Sequence, residues 1–125
     1  MAEGERDDLA ELLARRALTE DAARSDAVEK RHAAGGRTAR ENLEDLVDPG
    51  SFVEYGRFAI AAQRGRREVE DLIARTPADG LIGGTARVNG DRFGPERAAC
   101  AVLSYDYTVL AGTQGLQNHR KKDRL

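Results

Sequence analysis

Residues 100–125 read Cys100-Ala-Val-Leu-Ser-Tyr-Asp-Tyr-Thr-Val-Leu-Ala-Gly-Thr-Gln-Gly-Leu-Gln-Asn-His-Arg-Lys-Lys-Asp-Arg-Leu125. The first half is rich in β-branched and aromatic residues, which favour strands, and the second carries helix formers with a basic cluster. Between them lies the turn Gly112-Thr-Gln-Gly115. A strand that passes through glycines into a helix start aims backbone N–H groups where an anion such as a phosphate is stabilised. The turn lacks the six-residue spacing of a Rossmann loop and the Gly-Lys-Ser/Thr of a P-loop. Two readings of it stay open, a plain turn and an anion site. The sequel bears on the second reading: Arg120, Lys121 and Arg124 recur at helical three-and-four spacing near the helix start. Residues 116–125 hold four basic side chains against Asp123, a local charge of +3. The same run also reads as a solvated helix face.

Working back from this stretch, residues 98–110 form a nearly continuous apolar strand in which Ser104, Asp106 and Thr108 share one face by their period of two. Asp106 reads as structural, its partner a backbone amide or an arginine. Residues 80–88 are an apolar, glycine-interrupted strand, and Asn89-Gly90 is a strong hairpin signal. Residues 91–97 project as a surface insertion. Ser51-Phe-Val-Glu-Tyr55 starts another strand after the turn Asp48-Pro49-Gly50. Residues 61–75 are polar and read as a short surface helix before Thr76-Pro77.

Thr38-Ala-Arg-Glu41 is a capping box opening a helix over 38–47, with Leu43, Leu46 and Val47 as its apolar face. Gly35-Gly36 ends a helical segment over residues 5–34. There Leu9, Leu12, Leu13 and Ala17 make a narrow apolar stripe, that of an arm laid on a larger body.

At 125 residues the chain is one domain long, and 34% charged with 5% aromatic residues and no Trp is lean for a core. The net charge of −2 gives no global reason to bind nucleic acid or an anionic membrane. Cys100 is the only cysteine, which excludes an internal disulfide and a Cys-based zinc site. Its apolar neighbours predict an inert, buried thiol. His32 and His119 are too isolated for a metal site, and no Gly-x-Ser-x-Gly motif occurs. No catalytic constellation emerges. No apolar run approaches the ~20 residues of a membrane span, and the acidic N-terminus is no secretory signal, so the expected compartment is the cytoplasm.

Three segments together resemble the opening of the biotin-dependent acyl-CoA carboxyltransferases. They are residues 31–54 with Gly-Gly-Arg-Thr-Ala-Arg-Glu-Asn-Leu-Glu-Asp-Leu-Val-Asp-Pro-Gly-Ser-Phe-Val-Glu, residues 78–90 with Ala-Asp-Gly-Leu-Ile-Gly-Gly-Thr-Ala-Arg-Val-Asn-Gly, and residues 103–115 with the basic helix after them. The resemblance covers roughly residues 28–125 and is similar in type to the β subunits of acetyl- and propionyl-CoA carboxylases. It implies an α/β (α+β) chain, a partial crotonase-like (ClpP/crotonase) fold preceded by a helical N-terminal arm. Residues 1–35 would be the arm, and 36–125 an incomplete CoA carboxyltransferase N-terminal domain.

In that family carboxybiotin, carried on a separate domain or subunit, donates CO2 to the α-carbon of acetyl- or propionyl-CoA. The resemblance places Gly112, Gly115, Arg120, Lys121 and Lys122 against the phosphates of CoA. It implies as partners an acyl-CoA, a biotin carboxylase or biotin carrier subunit, and further copies in large ring-like oligomers, with neither nucleic acid nor membrane. The family's oxyanion holes come from a glycine-rich turn later than Leu125 and from a second domain. The expectation is therefore an N-terminal part that transfers no CO2 alone. The alternative is a non-catalytic module that docks on a full-length carboxylase subunit.

Overall fold

The computed structural model describes residues 6–63, 65–113 and 115–125. Gln114 of the glycine turn and the acidic residues 1–5 lie outside the described residues. The first helix, α1 (Asp7–Ala17), has Asp7 and Asp8 in its first turn and Arg15 and Arg16 in its last. Those charges complement the helix dipole at both ends. None of its residues is buried. Arg15 fixes it by donating to the Phe58 carbonyl (3.2 Å) and lying over the Phe58 ring.

The helix expected across residues 5–34 is broken in two. At Thr19 the hydroxyl donates to the Arg16 carbonyl (2.7 Å), a local bond that competes with helix continuation. A single turn, Asp21–Ala23, follows before α2 (Ser25–Ala33). The break frees Arg24 to reach the other end of the chain, donating to Asp106 Oδ2 (3.2 Å) and Thr108 Oγ1 (2.9 Å).

Helix α3 (Ala39–Leu46) opens on the expected capping box. Thr38 Oγ1 accepts from the Glu41 amide (3.1 Å), and Glu41 Oε1 accepts from the Thr38 amide (2.8 Å). The Thr38 amide, with help from His32, pulls the Glu41 carboxyl down to about 2. Thr38→Ala removes the cap and is expected to destabilise the chain by about 1 kcal/mol, read as a lower urea midpoint at unchanged slope.

Strand β1 is only Val53–Glu54 and pairs antiparallel with β2 (Leu81–Arg87) through Val53↔Thr85 and Glu54↔Gly84. Gly84 permits this approach, since a Cβ there would meet the Val53 carbonyl oxygen at 1.9 Å. Between them lie α4 (Val69–Arg75), which buries Leu72 as a short helix before Thr76-Pro77, and the turn Pro77–Gly80. Strand β3 (Ala99–Tyr105) pairs antiparallel with β2, from Leu81↔Tyr105 to Arg87↔Ala99, giving the order β1-β2-β3.

The β2–β3 connection is not the two-residue hairpin that Asn89-Gly90 signals. Asn89 is left-handed (φ 58°), but two helical turns follow, α5 (Gly90–Phe93) and α6 (Pro95–Ala98). The Asp48 carboxylate accepts from the amides of Asn89 (3.0 Å) and Gly90 (2.7 Å) and holds that corner. β3 also stops short of the expected residue 110. Asp106 Oδ1 accepts from the Thr108 amide (2.9 Å) and hydroxyl, which turns the chain at once. So Asp106 is structural, with both an amide and an arginine as partners.

The core lies between α3 and one sheet face: Ala39, Leu43, Ala78, Ile82, Ala86 and Val102, flanked by Val47, Phe52 and Val88. Leu46 of the expected apolar face is exposed. Cys100 is exposed, not buried, because β3 is an edge strand in which only Val102 is buried. Among the described residues no helix is long and apolar enough to cross a membrane.

Candidate anion-binding corner

The last helix, α7 (Leu116–Arg124), starts at Gly115. Its first turn is already occupied by a carboxylate of the same chain. Asp79 Oδ2 accepts from the Asn118 amide (2.8 Å), and the Gln117 amide also bonds this carboxyl. Asn118 returns the contact, donating from Nδ2 to the Asp79 carbonyl (2.9 Å) and accepting at Oδ1 from the Gly115 amide (3.0 Å). Glycine at 115 leaves the Asp79 carboxylate room, since a Cβ would lie 2.9 Å from Oδ2 and push it off the helix start. Burial raises the Asp79 pKa, against the pull of the Asn118 and Gln117 amides and of Lys121.

Lys121 is buried and points inward. Its Nζ donates to the carbonyls of Ala78 (2.9 Å) and Leu81, and its stem crosses Gly56, where a Cβ would sit 2.8 Å from Cε. Burial lowers its pKa to about 8, against the opposing pull of Glu54 and Asp79. The turn it grips is unusual. Ala78 (φ 57°), Asp79 (φ 47°) and Gly80 (φ 74°) are left-handed in succession, a conformation that costs about 1–2 kcal/mol at each non-glycine. Asp79, Asn118 and Lys121 together lock α7 to that strained turn.

The residues expected to meet a phosphate are thus distributed unevenly. Arg120 and Arg124 are exposed, and with Lys121, Tyr55, Gly56 and Gln117 they line a hollow of about 290 Å³. Lys122 is half-buried. Gly112 (φ 72°) sits in a separate turn beside Tyr107. The chemistry available in the hollow is cationic, a surface that attracts an anion while the helix N-terminus behind it is filled by Asp79.

The family model for the carboxyl transferase domain matches residues 30–124. The chain belongs to the carboxyl transferase domain family. Over 90 residues it is 40% identical to the propionyl-CoA carboxylase beta chain of Saccharopolyspora erythraea, covering 71% of this chain and 14% of that one. Over 124 residues it is 34% identical to the biotin-dependent long chain acyl-coenzyme A carboxylase beta4 subunit of Mycobacterium tuberculosis, covering 94% and 20% respectively. A solved single-chain, multi-domain long-chain acyl-CoA carboxylase superposes with a TM-score of 0.94 at 66% identity, covering 98% of this chain and 12% of that one. The chain therefore spans between about a seventh and a fifth of the curated relatives named here. Its fold is a partial crotonase-like one, shared with these carboxyl transferase domains.

Several residues that organise this carboxyl transferase segment were silent in the sequence. Asp79 carried only its place in a Pro-Ala-Asp-Gly turn, and Asn118 only its third position in a helix after glycine. Nothing in spacing joined Arg40 to Glu54 or Arg57 to Glu20, and Arg57 stands three residues after Glu54 in a segment read as a strand, yet these four form an ion-pair network.

Proposed function

We propose that these residues form part of a biotin-dependent acyl-CoA carboxyltransferase and supply a surface for the anionic CoA end of its substrate. The observation that carries this is the convergence of Arg120 and Arg124 with the Lys121 stem on one hollow, in a chain whose family match spans residues 30–124. Gly112, Gly115 and Lys122 belong to the same reading: the glycines as close-approach points of the backbone, Lys122 as a further cation. Lys121 contributes its charge through the hollow's wall, since two of its three N–H donors are engaged by carbonyls.

Carboxybiotin, on a separate domain or subunit, supplies the carboxyl group in this reading. The donor set here is cationic and suits the phosphate esters of an acyl-CoA. The partners that follow are an acyl-CoA, a biotin carboxylase or carrier subunit, and further copies of the chain, in the cytoplasm. Residues 1–35 act as an arm on 36–125.

The test is calorimetric titration of the 125-residue chain with propionyl-CoA, with Arg120→Glu/Lys122→Glu alongside it. The double variant is expected to bind at least ten times more weakly and to lose part of the salt dependence, as removal of two surface cations requires. Unchanged affinity would reduce the basic residues to a solvated face. Radiolabel exchange from carboxybiotin by this chain alone should stay at background, and measurable turnover would overturn that expectation.

A further inference from the structure

The two edges of the sheet are finished differently. β1 is two residues long, and its Glu54 is held in ion pairs with Arg40 and Arg57. Shortness and charge are devices by which natural sheets discourage further pairing at an edge. β3 has neither. Its seven residues, Ala99-Cys-Ala-Val-Leu-Ser-Tyr105, carry no charge and no proline, and they pair with β2 without a bulge. The ends of β3 fix which backbone groups are free. The Asp106 amide donates to the Gly80 carbonyl (2.7 Å), and the Val88 amide donates to the Ala98 carbonyl (3.0 Å). Between those anchors Cys100, Val102 and Ser104 turn their backbone groups toward β2, and Ala101, Leu103 and Tyr105 present theirs outward. Among the described residues no backbone group outside the sheet bonds to those three. Leu103 is 44% exposed and Tyr105 37%.

Such an edge takes another extended strand, and its side chains single one out. Laid antiparallel on a second copy of itself about a two-fold axis at Val102, β3 sets Ala101 opposite the second copy's Leu103 and Ala99 opposite its Tyr105. On that face every small side chain meets a large one. On the other face Val102 meets Val102 and Cys100 meets Ser104. The hydrogen bonding suits the same register. Ala101 and Leu103 both point their backbone groups outward and form hydrogen-bonded pairs, while Cys100 and Ser104 fall at the closer, non-hydrogen-bonded positions. A slip of one residue would set outward backbone groups against inward ones. A slip of two would set Leu103 on Leu103 or Ala101 on Ala101 and shorten the overlap. We propose that the chain pairs with a second copy of itself through β3, joining two three-stranded sheets into one. The pair is closed, because each copy uses its one edge of this kind and association stops at two. It is independent of the acyl-CoA reading and gives the further copies proposed there a definite surface.

Sedimentation equilibrium of the 125-residue chain should return twice the monomer mass at high micromolar concentration, with dissociation on dilution. Leu103→Lys puts a charge on the edge, diagonal to the same charge on the second copy, and should raise the dissociation constant at least about tenfold. Cysteines read the register, since Cys100 is exposed. On mild oxidation Ser104→Cys should close disulfides between Cys100 of one copy and position 104 of the other, giving a dimer band without reductant. Within one strand the two positions stand about 13 Å apart, too far for an internal bond. The wild type and Cys100→Ser/Ser104→Cys each hold one cysteine that meets no cysteine in this register, and both should stay unlinked. Oxidation decides the matter if Leu103→Lys unfolds. A chain that stays monomeric, with Ser104→Cys unlinked, overturns the proposal and leaves the edge to a strand of other origin. Equal linking of the single-cysteine proteins, or a ladder of higher species, overturns it too, because neither fits a closed pair in this register. Propionyl-CoA titration reports the acyl-CoA reading alone: a monomer that binds it sinks only the pairing, and a dimer that does not sinks only that reading.

Discussion

Arg40→Met is expected to destabilise the chain by about 3 kcal/mol, the lower end of what breaking a buried ion pair costs. Arg40 holds Glu54 with both arms of its guanidinium, Nη1 to Oε1 at 2.8 Å and Nη2 to Oε2 at 3.1 Å. The Glu54 side chain is only 4% exposed and that of Arg40 15%, so solvent does little to replace the pair. Burial works against the Arg40 cation, yet the hydrogen bonds and charge of Glu54, with Glu20 and Asp21, hold its pKa above the ordinary arginine value. Arg57 stays on Glu54 at 2.9 Å when Arg40 is gone, which keeps the loss from the upper end of the range. Arg40 also donates from Nε to the Thr19 carbonyl (2.9 Å), so the arm loosens at the same time.

The measurement is the guanidinium chloride midpoint of Arg40→Met against Arg40→Met/Glu54→Gln. The double variant should recover part of the loss, because the buried carboxylate left with Arg57 as its remaining ion-pair partner is neutralised as well. A single-variant loss under about 1 kcal/mol would show the pair to be screened as surface pairs are.

The second large effect is a pH dependence that Lys121→Met abolishes. Burial sets the native pKa at about 8 against 10.5 for the exposed side chain. Between those values the unfolded chain binds a proton that the native chain has released, so native stability rises with pH across the window. Below about pH 8 the full penalty of burying the ammonium applies; above 10.5 none remains. The interval is worth about 3 kcal/mol. Unfolding free energies at pH 7.5 and pH 10.5 should therefore show a rise in the wild type that is absent from Lys121→Met. Parallel pH profiles for the two proteins would mean that Lys121 is hydrated in the native state.

What was legible in the sequence was local. The capping box of Thr38 and Glu41 needs four residues and no neighbours, and it appears as read. The strands over 81–87 and 99–105 announce themselves by composition, and so does the turn before β1. The hairpin signal was half right: Asn89 takes the left-handed conformation, but Asp48, 41 and 42 residues away, captures the amides of Asn89 and Gly90 and redirects the chain into α5. The break after α1 was hidden for a similar reason. Thr19 is drawn off the helix by Arg40 and Arg57, and Arg24 is recruited by Asp106 across 82 residues. The basic run at 120–124 looked uniform because spacing cannot say which lysine turns inward. Lys121 does so because the carbonyls of Ala78 in the strained turn and of Leu81 at the start of β2 stand 43 and 40 residues earlier.

The lock between that turn and α7 has a further consequence. The buried residues of α7 are Asn118 and Lys121, both polar, so the helix is held by directed bonds and hardly at all by apolar adhesion. A greasy helix can roll or slide a little and lose only a fraction of its contact. Rolling this one by a single residue, about 100°, would break every bond to residues 78–81 together. Its rotational setting is consequently all-or-none, and the heading of Arg120 and Arg124 is fixed before any anion arrives.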